Sequence, residues 1–220
     1  RIIMVRELKA ALFDLDGVVF NTEPQYTIFW KSQFKMYYPE LPGIENQIKG
    51  MTLVEIYDKY FAGRLEEQSK ITAKLNEFEV NMHFEFIEGF VDFVTDLRNN
   101  GVKTAVVTSS NRQKMENVYA KVPTFKNLFD CILTSEDFTE GKPNPAPYLK
   151  GAEVFGLTPS QCVGFEDSFN GLKAVRGAGE FTVGLSTTNP ETAISAYADI
   201  VIPNYVGCNY QWLNVEFNKH

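Results

Sequence analysis

Leu12-Phe13-Asp14-Leu15-Asp16-Gly17-Val18-Val19-Phe20 decides how this chain is read. Residues 10–13 are apolar without alternation, the pattern of a central parallel strand buried on both faces. Two aspartates one residue apart follow, then a glycine. Within a strand such neighbours point to opposite faces; past its end the backbone curls, and both carboxylates can approach one cavity. Paired carboxylates repel each other, so they hold a hard cation or divide acid and base work between them. The plainer alternative is a polar turn that ends a strand and caps a helix.

Outward from this stretch the pattern is interrupted. A crossover helix and second strand are expected within a few dozen residues, but residues 24–38, 44–49, 52–61 and 65–86 all read as helical. The first opens on Pro24, and the third carries Leu53, Ile56, Tyr57 and Tyr60 at helical spacing. The aromatic content of this block suits the core of a small helical bundle, inserted as a cap. His83 falls inside its last helical stretch and reads as structural. Strand and helix then alternate: helix 90–100, strand 102–107, helix to 121, strand 131–133, helix to 155, strand 161–165, helix 170–178, and strands 181–185 and 200–202. The expected fold class is α/β, a doubly wound parallel sheet (Rossmann-like core, residues 1–22 and 87–220) with a helical cap at 23–86.

In such a sheet the carboxyl ends of the strands meet at one edge, and there the polar clusters fall. Asp14 and Asp16 follow the first strand, Thr108, Ser109 and Ser110 the second, and Glu166 and Asp167 the fourth, with Lys142 in a loop between. Singly each has a duller reading: Ser110, Asn111, Asp167 or Ser168 could cap a helix, and Lys142 could be solvated. Together they supply a nucleophile, a cradle of hard oxygens, donors for an oxyanion and a cation for phosphate.

The segments FDLDGVVFNTEP (13–24), VVTSSN (106–111), GKPNPAPYL (141–149) and GFEDSFNG (164–171), in this order across the core, resemble the haloacid dehalogenase superfamily of phosphohydrolases. Within it the chain is most similar to the β-phosphoglucomutase and phosphoglycolate phosphatase group; the cap matches only in position and helicity. The resemblance implies that Asp14 is the nucleophile forming an aspartyl-phosphate and Asp16 the general acid, then base. Thr108 and Ser109, with Ser110 beside them, would hold phosphoryl oxygens, and Lys142 would neutralise them and Asp14. It also implies Mg²⁺ as cofactor, held by Asp14, the Asp16 carbonyl and Asp167, with Glu166 nearby. A mutase cap supplies a His, a Lys and an Arg; here Tyr26, Lys49 and Leu53 stand at those positions. Tyr26 and Lys49 are the cap residues expected to meet substrate, and the loss of the Arg favours a phosphatase over a mutase. A dehalogenase has no use for Asp16 or the Glu166-Asp167 pair, and a phosphate-sensing receiver module needs no cap.

Composition narrows the partners. At 44% hydrophobic and 22% charged the chain is of ordinary globular make-up, and a formal charge of −7 with no basic run argues against nucleic acid. Cys131, Cys162 and Cys208 are odd in number and far apart, which reads as reduced thiols in a cytoplasmic protein. No apolar run is long enough to span a bilayer, and residues 1–5 are too short for a signal peptide. The expected partner is a small phosphorylated metabolite, possessed of no nucleic-acid or membrane character, and the expected state is a monomer.

Overall fold

The computed structural model describes residues 6–219; the expectation on residues 1–5 and the last position of the expected core, 220, lie outside them. Strand β1 (Ala10–Phe13) is fully buried and sits mid-sheet, paired in parallel with β2 (Lys103–Val107) and β4 (Cys162–Glu166). The six strands, with β3 (Cys131–Leu133), β5 (Phe181–Leu185) and β6 (Ile200–Ile202), run in the order β3-β2-β1-β4-β5-β6, every pairing parallel. The order reverses at β1, and the crevice beyond the ends of β1 and β4 is where such a sheet binds its ligand.

Alternation along β1 divides two cores. Ala11 and Phe13 face a cluster with α5 (Phe90–Asn99) and α10 (Tyr210–Lys219). There the Phe13 ring stacks on Phe165 with centroids 4.5 Å apart and meets the edge of Phe90 at 5.2 Å. Ala10 and Leu12 face α7 (Ala146–Glu153) and α8 (Phe169–Ala178). α7 comes close because Gly151 has no side chain; a Cβ there would fall 2.7 Å from Leu12 Cδ1.

Helices α1 (Glu23–Tyr37), α2 (Ile44–Gln47), α3 (Leu53–Tyr60) and α4 (Leu65–Val80) bury an aromatic cluster of their own, with Phe29, Trp30, Phe34 and Phe61 at its centre. α4 stops at Val80, short of the helical stretch expected to 86. His83 is therefore not helical: its backbone exchanges hydrogen bonds with the Gln25 amide, and Phe86 bridges Phe20 across the two chain crossings. The sequence reading placed no helix after β6; α10 is there, its Leu213 and Phe217 buried under the sheet. Among the described residues no helix is long and apolar enough to cross a membrane, and the three cysteines are free thiols.

Candidate active site

The motif residues Asp14, Thr108 and Glu166 lie at or one residue past the carboxyl ends of β1, β2 and β4. The Asp14 N–H still donates to Phe165 O at 3.1 Å, so the first aspartate is held on the sheet one residue past β1. Glu166 closes β4, and Lys142 reaches in from the loop before α7. Its Nζ contacts Asp14 Oδ1 at 2.8 Å, Val107 O at 2.9 Å and Glu166 Oε1 at 2.5 Å, while the Tyr148 hydroxyl donates to that same Glu166 oxygen at 2.6 Å. Burial pulls the Lys142 ammonium toward the neutral form, but Asp14 and Glu166 outweigh it and raise its pKa.

One ammonium does not balance the acids. Donor oxygens of Asp14, Glu166 and Asp167 lie within 4.8 Å of one another. Burial raises all three carboxyl pKa values, that of Glu166 to about 7. Glu166 Oε2 is buried without a hydrogen-bond partner among the described residues. Asp167 is braced from outside: Thr188 Oγ1 donates to its Oδ2, and Asn189 Nδ2 to its backbone carbonyl at 3.1 Å. Gly17 is required beside it, having a φ of +79° and a Cβ position 2.2 Å from Asp167 Oδ2. An all-oxygen donor set with excess negative charge and an orphaned carboxylate oxygen fits a hard divalent cation.

Asp16 occupies the opposite wall. Thr22 Oγ1 donates to its Oδ1, and Ser110 Oγ (3.3 Å) and Lys114 Nζ both donate to Oδ2. Ser110 N–H donates to Thr108 Oγ1 at 3.0 Å, and Ser109 Oγ to Gly50 O at 2.9 Å. Above them lies a cavity of about 610 Å³, lined by Asp14, Asp16, Thr108, Ser109, Ser110 and residues of the α1–α4 block that include Tyr26 and Lys49. Lys142, Glu166 and Asp167 lie buried beneath it.

The two residues expected to reach substrate from the helical block already have partners. The Tyr26 hydroxyl donates to Glu79 Oε1 at 2.8 Å, and Lys49 Nζ is 3.8 Å from Glu23 Oε2. Burial, and then Asp16, push Glu23 up to about 8 against the pull of Lys49. Thr22, Glu23, Glu79, Lys114 and Tyr148 were missed in sequence. Thr22 and Glu23 sit inside the quoted first motif and could have been taken from it, whereas Glu79 and Lys114 carry no motif signal.

The profile of the Haloacid dehalogenase-like hydrolase family matches residues 11–185. A Clostridium perfringens protein with a provisional pyrophosphatase PpaX name is 33% identical over 82% of this chain and 85% of its own length. The validoxylamine A 7'-phosphate phosphatase of Streptomyces hygroscopicus subsp. limoneus is 29% identical over 88% of this chain and 92% of its own. A Bacteroides vulgatus structure with a provisional β-phosphoglucomutase name superposes with a TM-score of 0.80 at 26% identity, covering 99% of this chain and 93% of that one. The chain belongs to the haloacid dehalogenase-like hydrolases and is an enzyme of that family.

Proposed function

We propose that this chain is a magnesium-dependent phosphatase that hydrolyses a small phosphorylated metabolite through an aspartyl-phosphate on Asp14. The observation that carries the reading is Lys142, clamped between Asp14 and Glu166 beside the Asp14, Glu166 and Asp167 oxygens. A carboxylate nucleophile can approach a phosphate dianion only if both are neutralised, and phosphoryl transfer needs positioning and charge compensation above all. Asp14, Glu166, Asp167 and the Asp16 carbonyl would hold Mg²⁺, which supplies that compensation when bound.

The remaining steps fall to this chain's own residues. An Asp14 carboxylate oxygen attacks phosphorus while the bond to the leaving oxygen breaks, and Asp16 gives that oxygen its proton. Asp16 then takes a proton from water, whose oxygen attacks the phosphorus and frees Asp14 and inorganic phosphate. Thr108, Ser109 and Ser110 would donate to phosphoryl oxygens, and residues 23–86 would act as the cap that shuts out bulk water.

Hydrolysis of a phosphate ester and of a phosphoanhydride, the activities named for two relatives, both fit this chemistry. A substrate with one phosphate is favoured by the cavity's upper lining, where Glu23, Glu45, Glu55, Asp58 and Glu79 face one lysine, Lys49, among the described residues. The test is phosphate release across a panel of phosphorylated metabolites, with Mg²⁺ and after exhaustive EDTA treatment. Full activity without the metal, or no release from any member with it, sinks the reading.

A further inference from the structure

Lys114, buried against Asp16, takes no part in the steps above. It stands in the first turn of α6 (Arg112–Lys121), where Asn111 caps the helix by accepting its N–H at 2.9 Å. Its side chain is fully buried, and its ammonium ends against Asp16 Oδ2, against Ser110 Oγ at 3.0 Å, and 4.4 Å from the centroid of the Tyr26 ring. Burying a lysine is costly unless it is paired and hydrogen-bonded, and a helix as polar as α6 could have kept this one in water. The partners it is buried against are specific: a core carboxylate at the cavity wall, that carboxylate's second donor, and an aromatic face from α1.

We propose that Lys114 is a positioning residue for Asp16, fixing the carboxylate on which leaving-group protonation depends. The proposal rests on the general-acid reading of Asp16 given above. Asp16 has two free torsions, and three donors fix both its oxygens: Thr22 holds Oδ1, while Lys114 and Ser110 share Oδ2. Thr22 and Ser110 are neutral donors on short side chains; Lys114 adds the charge-assisted bond, about twice as strong. Without it Oδ2 keeps one hydrogen bond, at 3.3 Å. General acid catalysis contributes typically 10²–10⁴-fold, and displacement by about 1 Å forfeits much of that. The purely structural alternative, an ion pair that holds α6 to the core, predicts a loss indifferent to the chemistry of the substrate.

The experiment is kcat/KM on p-nitrophenyl, phenyl and benzyl phosphate, similar in size, whose leaving groups need a proton increasingly in that order. kcat/KM reports the steps through leaving-group departure. Lys114→Met is expected to lower it on the order of 10²-fold for benzyl phosphate and less than about threefold for p-nitrophenyl phosphate. In an Asp16→Asn background the same substitution should cost less than about threefold on every substrate, since it acts through Asp16. Lys114→Gln, a shorter polar side chain that removes the charge, replaces it if the Met variant does not fold. An equal loss across the series, no loss on benzyl phosphate, or an undiminished loss in the Asp16→Asn background overturns the proposal while leaving the general acid in place. A flat response to Asp16→Asn alone is a different failure: it removes the general-acid reading, and the proposal with it.

Discussion

An ammonium out of water persists only against carboxylates, and two buried lysines therefore mark the two acids of this site: Lys142 at Asp14, Lys114 at Asp16. Their difference explains what sequence could reveal. Lys142 lies in the Gly141-Lys142-Pro143 run that resembles a known motif; Lys114 lies on a helix whose Met115 and Val118 mark the inward face without showing that a lysine shares it. Asp14→Asn should cut turnover by on the order of 10³-fold or more. Glu166 remains to pair Lys142, so the circular dichroism spectrum should not change; retained activity with an unchanged spectrum would refute the nucleophile. Glu180, outside the quoted motifs and not among the residues lining the cavity, is buried with neither carboxylate oxygen hydrogen-bonded among the described residues, and burial raises its pKa well above 4.5. The folded chain thus keeps a proton that the unfolded chain gives up. Stability from this group is full below about pH 4.5 and falls as pH rises toward the folded value. Glu180→Gln should therefore gain stability relative to the parent between pH 4.5 and 7, measured by urea unfolding; a difference independent of pH would show Glu180 to be ionised in the fold.

At the scale of elements, the strands were legible because β1, β2 and β4 are short, mostly apolar runs ended by polar motif residues, and β5 is a further such run between helix and loop. What escaped is set by contacts no period encodes: the end of α4 at Val80, the Phe20–Phe86 bridge and the docking of α10. One such contact joins α3 to the Lys142 loop. Glu55 completes a capping box with Thr52 at the start of α3, and its other carboxylate oxygen accepts the Gly141 N–H at 3.1 Å. A Cβ on Gly141 would fall 2.4 Å from that oxygen. Gly141→Ala should push Glu55 aside and loosen the seat of α3 over the site. A KM raised several-fold is expected, with thermal stability little changed, because a single part-buried hydrogen bond is worth only about 1 kcal/mol. Adding Glu55→Ala removes the clash and should not raise KM further; an additive rise in the double variant would show that the two residues act separately.

Over the whole molecule, the α1–α4 block meets the core around the rim of the cavity and at its two chain crossings. Asn21 N–H donates to Glu85 O at 2.8 Å and Ile87 N–H to Val19 O at 2.9 Å, tying the crossings together. At the rim Ser109 reaches Gly50 O, and Asn170 Nδ2 reaches Lys49 O at 3.0 Å. Helix α4 also packs on α6, and Phe20 meets the rings of Phe84, Phe86 and Phe125 at the crossings. The cap proposed above would have to part the polar rim contacts and pivot at the crossings to admit substrate and release product. What the lid can do when shut separates hydrolysis from transfer. A mutase must exclude water from the aspartyl-phosphate and anchor a second phosphate on the cap side. Here the Tyr26 hydroxyl is bound to Glu79, Lys49 faces Glu23, and Leu53 lines the cavity where the resemblance would ask for Arg. A second phosphate would meet carboxylates and a single lysine that one of them already attracts. Water therefore has the advantage over a sugar hydroxyl at phospho-Asp14, and phosphate release should dominate. ³¹P NMR of β-glucose 1-phosphate with catalytic glucose 1,6-bisphosphate decides it. Inorganic phosphate should appear faster than glucose 6-phosphate; the reverse order would mean that the cap anchors a second phosphate by contacts other than Tyr26, Lys49 and Leu53, and that transfer is the reaction.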